Sequence, residues 1–325
     1  MGTILRGDAL EMLKTLENES VDMCVTSPPY FGLRNYEAEG QIGLEKTPEE
    51  YIERLVQIFR EVRRVLKKDG TLWLNIGDSY ATRSGAQAPT NTRNQCGHTA
   101  KAVPAGYKAK DLLGIPWMLA FALRSDGWYL RQDIIWQKTN CMPESVRDRC
   151  TKSHEYMFLL SKSPKYYFDA EAISEPIAGS STKRYMQNLE AQKGSDRLPG
   201  KINGNTKAAL PRFGGTKYGE SDREENRTKN GTVYIPTLRR NKRDVWAIST
   251  AGFKGAHFAT FPEALVRPCI LAGCPQGGIV LDPFFGSGTS GAVAIKEGRD
   301  YIGIEINPEY AQLAEQRIEN AKEDK

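Results

Sequence analysis

Two consecutive prolines, Pro28-Pro29, end an apolar run that spans Asp22 to Thr26. Proline fixes φ and has no backbone N–H, so neither a strand ladder nor an ordinary helical turn passes through the pair. Thr26-Ser27-Pro28-Pro29-Tyr30 is therefore a stiff, extended corner at the carboxyl end of a buried strand. Open α/β sheets take their ligands outside that end of their strands. Prolines also remove amide competitors, so the corner's carbonyls are expected to accept hydrogen bonds from another molecule. Ser27 adds a hydroxyl that donates or accepts, and Tyr30 adds an aromatic face. A rigid group of acceptors beside a ring suits a planar group with an exocyclic amine. The alternative is a proline-rich loop with a packed tyrosine.

The remaining chain supplies the sheet that such a corner needs. Short apolar strands are expected at Thr3 to Arg6, Met23 to Thr26, Thr71 to Ile76, Tyr129 to Gln137, Glu155 to Ser161, Gly278 to Leu281 and Tyr301 to Ile306. Helical patterns separate most of them. The clearest starts at Thr47-Pro48-Glu49-Glu50, which combines a capping box with proline at the first helical position. Tyr51, Ile52, Leu55, Val56, Phe59, Val62 and Leu66 continue it with a 3.6-residue period, and Gly70 is the expected stop. Thr260-Phe261-Pro262-Glu263 reads as a second capping box, and Asn307-Pro308 opens the last helix. Seven strands with intervening helices predict an α/β fold with a doubly wound, mostly parallel sheet.

Two stretches break this alternation. Residues 81–111 have no period and hold five basic residues and one acid; so long a loop is expected to be functional or mobile. Residues 179–244 carry 15 Lys/Arg against 7 Asp/Glu, an excess of 15 − 7 = 8 in a chain whose net charge is +5. Tyr185, Phe213, Tyr218 and Tyr234 are interleaved there. This reads as an inserted basic module or a solvated linker. The expected division is 1–178, the insertion 179–244, and 245–325. No apolar run is long enough for a membrane span, and Met1 to Asp8 reads as a strand start rather than a leader. Six scattered cysteines without a C-x-x-C pair, with three histidines, predict no metal site and fit a reducing cytoplasm.

A second motif follows the sixth strand: Asp282-Pro283-Phe284-Phe285-Gly286-Ser287-Gly288-Thr289, then a helix. Glycines let backbone approach a ligand, and the next helix N-terminus favours an anionic group. The spacing is neither G-x-G-x-x-G nor a P-loop. Glu305 ends the next strand, 305 − 286 = 19 residues after Gly286, near the separation at which an acid reaches ribose hydroxyls. A nucleoside-containing ligand follows from that pairing; the alternative for Glu305 is a cap on the last helix.

Together, Thr-Ser-Pro-Pro-Tyr and Asp-Pro-Phe-Phe-Gly-Ser-Gly-Thr resemble the motifs of the amino-methylating DNA methyltransferases. Their order, with the Pro-Pro-Tyr motif first, is similar to the circularly permuted beta class of that family, whose fold is Rossmann-like. The resemblance covers nearly all the chain outside the two basic stretches. It implies S-adenosylmethionine as cofactor, held by Asp282, Phe284, Gly286, Ser287 and Gly288 in the turn, Glu305 on the ribose and Asp8 on the adenine amine. Asp8 also reads as a helix N-cap. Phe285 stands where the family favours a small residue. His257 to Glu263 resembles the segment over the methionine end of the cofactor, with Thr260 and Phe261 as its site residues.

The resemblance further implies that Ser27, Pro28, Pro29 and Tyr30 hold a base flipped out of double-stranded DNA, and that residues 179–244 recognise the target. Phosphate contacts there would make binding fall as salt rises. Serine ahead of Pro-Pro-Tyr resembles the cytosine-N4 enzymes; aspartate or asparagine is more usual for adenine-N6, which stays open as the alternative. A nucleic-acid-binding module with a degenerate cofactor site is the alternative of another class. The family implies a bacterial or phage source, with a cognate restriction endonuclease as a candidate partner and a monomer or homodimer as the assembly.

Overall fold

The computed structural model describes residues 2–32, 40–81, 103–178, 239–250 and 261–323. The chain divides into two compact units, Met1–Asp169 with Arg243–Lys325, and Ala170–Lys242. The smaller unit begins nine residues before the expected insertion (179 − 170 = 9). Most of that insertion, residues 179–238, lies outside the described residues, as do residues 82–102 of the first basic loop.

In the larger unit the strands are β1 (Thr3–Arg6), β2 (Val21–Thr26), β3 (Leu66–Ile76), β4 (Tyr129–Gln137), β5 (His154–Ser161), β8 (Val245–Ala247), β9 (Ile279–Asp282) and β10 (Asp300–Glu305). The helices are α1 (Ala9–Lys14), α2 (Pro48–Val65), α3 (Ile115–Ser125), α4 (Glu263–Gly273), α5 (Thr289–Lys296) and α6 (Pro308–Glu323). The strands form one sheet in the order β1-β10-β9-β2-β3-β5-β4-β8. Pairing is parallel from β1 through β3, antiparallel on both sides of β5, and parallel again between β4 and β8. All seven expected strands are present. The eighth, β8, is three residues long, too short for any periodicity.

Every residue of β2 is buried, as a central parallel strand with helices on both faces requires. Alternate residues serve opposite layers. Cys24, Leu72 and Leu74 join the core beneath α1, α2 and α3, where Tyr51, Leu55, Phe59 and Val62 are fully buried. Met23, Val25 and Trp73, of opposite parity, are equally buried on the other face. There α5 packs against both α4 and α6. Asp22 joins β2 to β9 by accepting from the Ile279 amide at 2.8 Å, while Lys67 pairs with its other oxygen at 2.7 Å.

The expected end of α2 is corrected. The helix stops at Val65, and Leu66, with φ −65° and ψ 138°, already lies in β3. Leu66 pairs with Val21, and the pairing slips before Met23 meets Thr71. Gly70 therefore sits in the strand; a Cβ there would come 3.0 Å from the Asp22 carbonyl. Glycine serves close strand approach at this position rather than helix termination.

The caps divide similarly. Thr47 Oγ1 accepts from the Glu50 amide at 3.2 Å, and Glu50 reaches back to the Lys46 amide at 3.0 Å, one residue before the position a capping box uses. At α4 the expected box is replaced by Pro262 as N-cap with no side-chain bond, and Glu263 instead pairs with Lys296 and Arg317. Within the first basic loop, residues 103–111 are held: the Lys110 amide donates to the Ala81 carbonyl at 2.6 Å and the Ala81 amide to the Asp111 carbonyl at 2.8 Å. No helix among the described residues is long and apolar enough to cross a membrane.

In the smaller unit, β6 (Glu175–Pro176) pairs antiparallel with β7 (Arg239–Arg240). Arg240 and Lys242 both pair with Glu175.

Candidate active site

The strand order reverses between β9 and β2. From β9 the chain proceeds to β10 on one side; from β2 it proceeds to β3 on the other. Ligands of open α/β sheets bind at such a switch point, outside the carboxyl ends of the strands. The Pro-Pro-Tyr corner leaves β2 and the glycine-rich turn leaves β9 at that place. Thr26 Oγ1 donates to Asp282 Oδ1 at 2.6 Å, joining two motifs 256 residues apart.

On the β2 side, Pro28 is buried while Ser27, Pro29 and Tyr30 are half-buried. The Tyr51 hydroxyl, reaching up from α2, donates to the Pro29 carbonyl at 2.8 Å. One of the corner's acceptors is thus used internally, contrary to the expectation that its carbonyls lack competitors. The Tyr30 ring lies against Gly77 at the end of β3, where a Cβ would approach its Cε2 to 2.8 Å. Its hydroxyl donates to Glu155 Oε2 at 2.6 Å and lies 3.3 Å from Asn75 Oδ1. Glu155 is only 8 % exposed, and its other oxygen pairs with Lys138. Burial, then the Glu155 charge, pushes the Tyr30 phenol well above its ordinary range.

Asp78, beyond β3, caps α3 by accepting from the Gly114 and Ile115 amides at 3.0 and 3.1 Å. Burial raises its carboxyl. Lys152 donates to the Asp78 carbonyl, and burial lowers its ammonium.

On the β9 side, Asp282 is 1 % exposed. It accepts from Thr26, from Ser290 Oγ at 2.6 Å and from the Phe284 amide at 3.1 Å. Burial pushes its carboxyl up to about 6, against the opposing pull of those donors. The Ser287 side chain is also turned inward, 3.3 Å from Arg317 Nη1, which donates to Thr289 Oγ1 at 2.8 Å as well. Gly288 takes φ 75° as the N-cap of α5, and a Cβ on it would come 2.8 Å from Ala314 Cβ. Gly286, at φ 52°, is half-buried, as is Phe284.

Glu305 Oε2 accepts from the Gly286 amide at 2.7 Å and Oε1 from the Asn307 amide at 2.8 Å. It therefore braces the turn and also leads into α6; burial raises its carboxyl. Parallel pairing of Arg6 with Glu305 brings Asp8 to the same end of the sheet. Asp8 Oδ1 accepts from Leu10 and Glu11 amides at 2.9 and 3.1 Å, so its N-cap reading holds. Phe285 is buried, stacks on Tyr301 with centroids 5.6 Å apart, and lies over Gly303. Phe261 is half-buried just before α4, and Thr260 lies outside the described residues.

Sequence reading missed Glu155, Asn75 and Lys138. Their available signal is a polar residue inside an apolar strand: Asn75 in Thr-Leu-Trp-Leu-Asn-Ile, and Glu155 at the head of Glu-Tyr-Met-Phe-Leu-Leu. Buried polar groups of this kind require partners.

Comparison with known proteins agrees with this geometry. Residues 21–316 match the N6/N4 family described as DNA methylase. The chain is 46 % identical over 317 residues to the type II methyltransferase M.SmaI of Serratia marcescens, covering 97 % of this chain and 90 % of the relative. It is 45 % identical over 321 residues to M.Cfr9I of Citrobacter freundii, covering 98 % and 87 %. Among solved structures, the PvuII cytosine-N4-specific DNA methyltransferase shares the fold with a TM-score of 0.61 at 18 % identity, covering 99 % of this chain and 90 % of that one. The Thermus thermophilus protein TTHA0409, described as a putative DNA modification methylase and solved with S-adenosyl-L-methionine, shares the fold with a TM-score of 0.57 at 21 % identity over 99 % and 96 %. The chain belongs to the N6/N4 DNA methylase family, the amino-methylating DNA methyltransferases of the beta class.

Proposed function

We propose that this protein methylates the exocyclic N4 amine of cytosine at a specific site in double-stranded DNA, with S-adenosylmethionine as methyl donor. The observation that carries the reading is the Thr26–Asp282 hydrogen bond, which fastens an acceptor-rich corner to a nucleotide-type turn. An amine held by the first then lies beside a cofactor held by the second.

The residues present fit that cofactor. Glu305 and Asp8 are acceptors at neighbouring strand ends, suited to ribose hydroxyls and an adenine amine. Gly286 leaves room for backbone approach, and Phe284 supplies a half-buried ring. Asp282, Ser287 and Gly288 act from behind by fixing the turn. Phe261 and Thr260 would border the methionine end. Bound there, S-adenosylmethionine supplies a methyl group activated by its sulfonium.

A cytosine amine is a poor nucleophile because its lone pair is delocalised into the ring. Tyr51 occupies the Pro29 carbonyl, which leaves Ser27 and the Pro28 carbonyl as the acceptors for the two amine N–H bonds. Accepting both localises the lone pair on nitrogen. Tyr30 presents its ring to the base once flipped from the duplex. Orientation then supplies much of the rate, and no covalent bond to the chain is needed. Ser27, in place of an aspartate or asparagine, favours cytosine over adenine.

Transfer of labelled methyl from S-adenosylmethionine into duplex DNA tests the reading. The wild type should incorporate label. Tyr30→Ala should lower turnover by roughly 10- to 100-fold, the value of one lost base–aromatic stack, with calorimetric cofactor affinity retained. Undiminished turnover in Tyr30→Ala would remove the stacking role. No incorporation by the wild type on several duplexes would favour a binding module with a degenerate cofactor site.

A further inference from the structure

We infer that Glu155 is a positioning residue: it tethers the Tyr30 hydroxyl, so the ring that meets the flipped base stands in place before DNA arrives. The inference rests on the proposed stacking role of Tyr30 and extends it to what holds the ring.

A tyrosine that only stacks needs its ring and leaves its hydroxyl free. Here the hydroxyl donates to Glu155 Oε2 at 2.6 Å, and Asn75 Oδ1 is a second acceptor at 3.3 Å. The acid is itself held. Its Oε1 accepts from Lys138 and its Oε2 from Asn75 Nδ2, the latter at 3.3 Å. Asn75 Nδ2 also donates to the Tyr156 carbonyl at 3.0 Å, which fixes the direction of its amide. The Lys138 ammonium lies 4.8 Å from the centre of the Trp136 ring. The tether therefore ends on groups from β3, β5 and the end of β4, a paired block of the sheet. Gly77 keeps room for it: a Cβ there would come 2.8 Å from Tyr30 Cε2 and 3.3 Å from the Glu155 carboxyl carbon.

Packing alone does not call for this acid. Met157 to Leu160, further along β5, are buried and apolar. Apolar residues in place of a buried ion pair commonly stabilise a fold as well or better. What the carboxylate supplies is direction. An aromatic side chain turns about two torsions, and one ordered only on contact loses part of its binding energy to that ordering. A ring tethered beforehand does not, and it sets the plane in which the base, and with it the amine, is held. Alignment of the amine with the methyl group depends on that plane.

The test is the single-turnover rate of methyl transfer, with S-adenosylmethionine and a duplex that the wild type methylates both saturating. Tyr30→Phe keeps the ring and removes the tether. It should slow transfer by about tenfold, the ordering of one side chain. Glu155→Leu removes the acceptor at similar volume and should slow transfer equally. Glu155→Gln leaves a hydrogen-bonding group opposite the hydroxyl and should stay within about threefold of the wild type. Adding Glu155→Leu to Tyr30→Phe should slow transfer no further, whereas a general loss of packing would add in both backgrounds. Calorimetric cofactor affinity should be retained throughout. Tyr30→Phe at the wild-type rate, with Tyr30→Ala impaired, overturns the inference and leaves the stacking role standing. Full additivity of Glu155→Leu and Tyr30→Phe also overturns it. Should Glu155→Leu fail to fold, the rate of Tyr30→Phe decides alone. Tyr30→Ala at the wild-type rate overturns both the inference and the stacking role.

Discussion

Asp282 is held at the switch point by three donors and almost no water, and its titration makes that burial measurable. Its carboxyl is raised from 3.8 to about 6. Between those values the folded chain keeps a proton that the unfolded chain has lost. The stability this contributes is complete below about pH 4 and is lost as pH rises through 6. Two pH units correspond to about 3 kcal/mol. Compared with Asp282→Asn, which cannot titrate, the wild type should lose about that much stability from pH 4 to pH 7 in denaturant unfolding. A difference that stays flat over this range would contradict the burial of the charge. Asp282 was legible from its motif, but its work was not. A one-dimensional motif reports residue type and not which way the side chain turns. Asp282 and Ser287 face the interior at 1 % exposure each, and Glu305 braces the Gly286 amide.

Elements carry the same lesson through their neighbours. The sequence period of α2 was clear because one face meets an apolar core. Its end was misplaced because a glycine before a strand is ambiguous between a stop and a close approach. The Asp22 carbonyl decides for the second. Phe285 shows the tertiary reason most directly. It departs from the resembling family in size, and the fold absorbs it by Gly303 in β10, where a Cβ would come 2.4 Å from the ring. Gly303→Ala should therefore destabilise the protein by roughly 1–3 kcal/mol, the usual cost of overpacking, read as a lowered Tm. In a Phe285→Ala background the same change should cost little. An equal cost in both backgrounds would separate the glycine from the ring.

At the scale of the molecule, the first strand pairs with the last. Thr3 to Arg6 run beside Ile302 to Glu305, so Asp8 and Glu305 come from opposite ends of the sequence to one end of the sheet. The order of motifs, corner first and turn last, was readable from the chain because each motif is local and each follows an apolar run. What was not readable was the support: Glu155, Asn75 and Lys138 join Tyr30 only through pairing of β3, β5 and β4, which sequence separation hides. The candidate site is thus assembled across the sheet, at its switch point.

The most direct test of the account is nucleoside mass spectrometry of unmethylated duplex DNA after incubation with the protein and S-adenosylmethionine. N4-methylcytosine is the expected product. N6-methyladenine as the product would keep the fold and contradict the assignment of the base to Ser27.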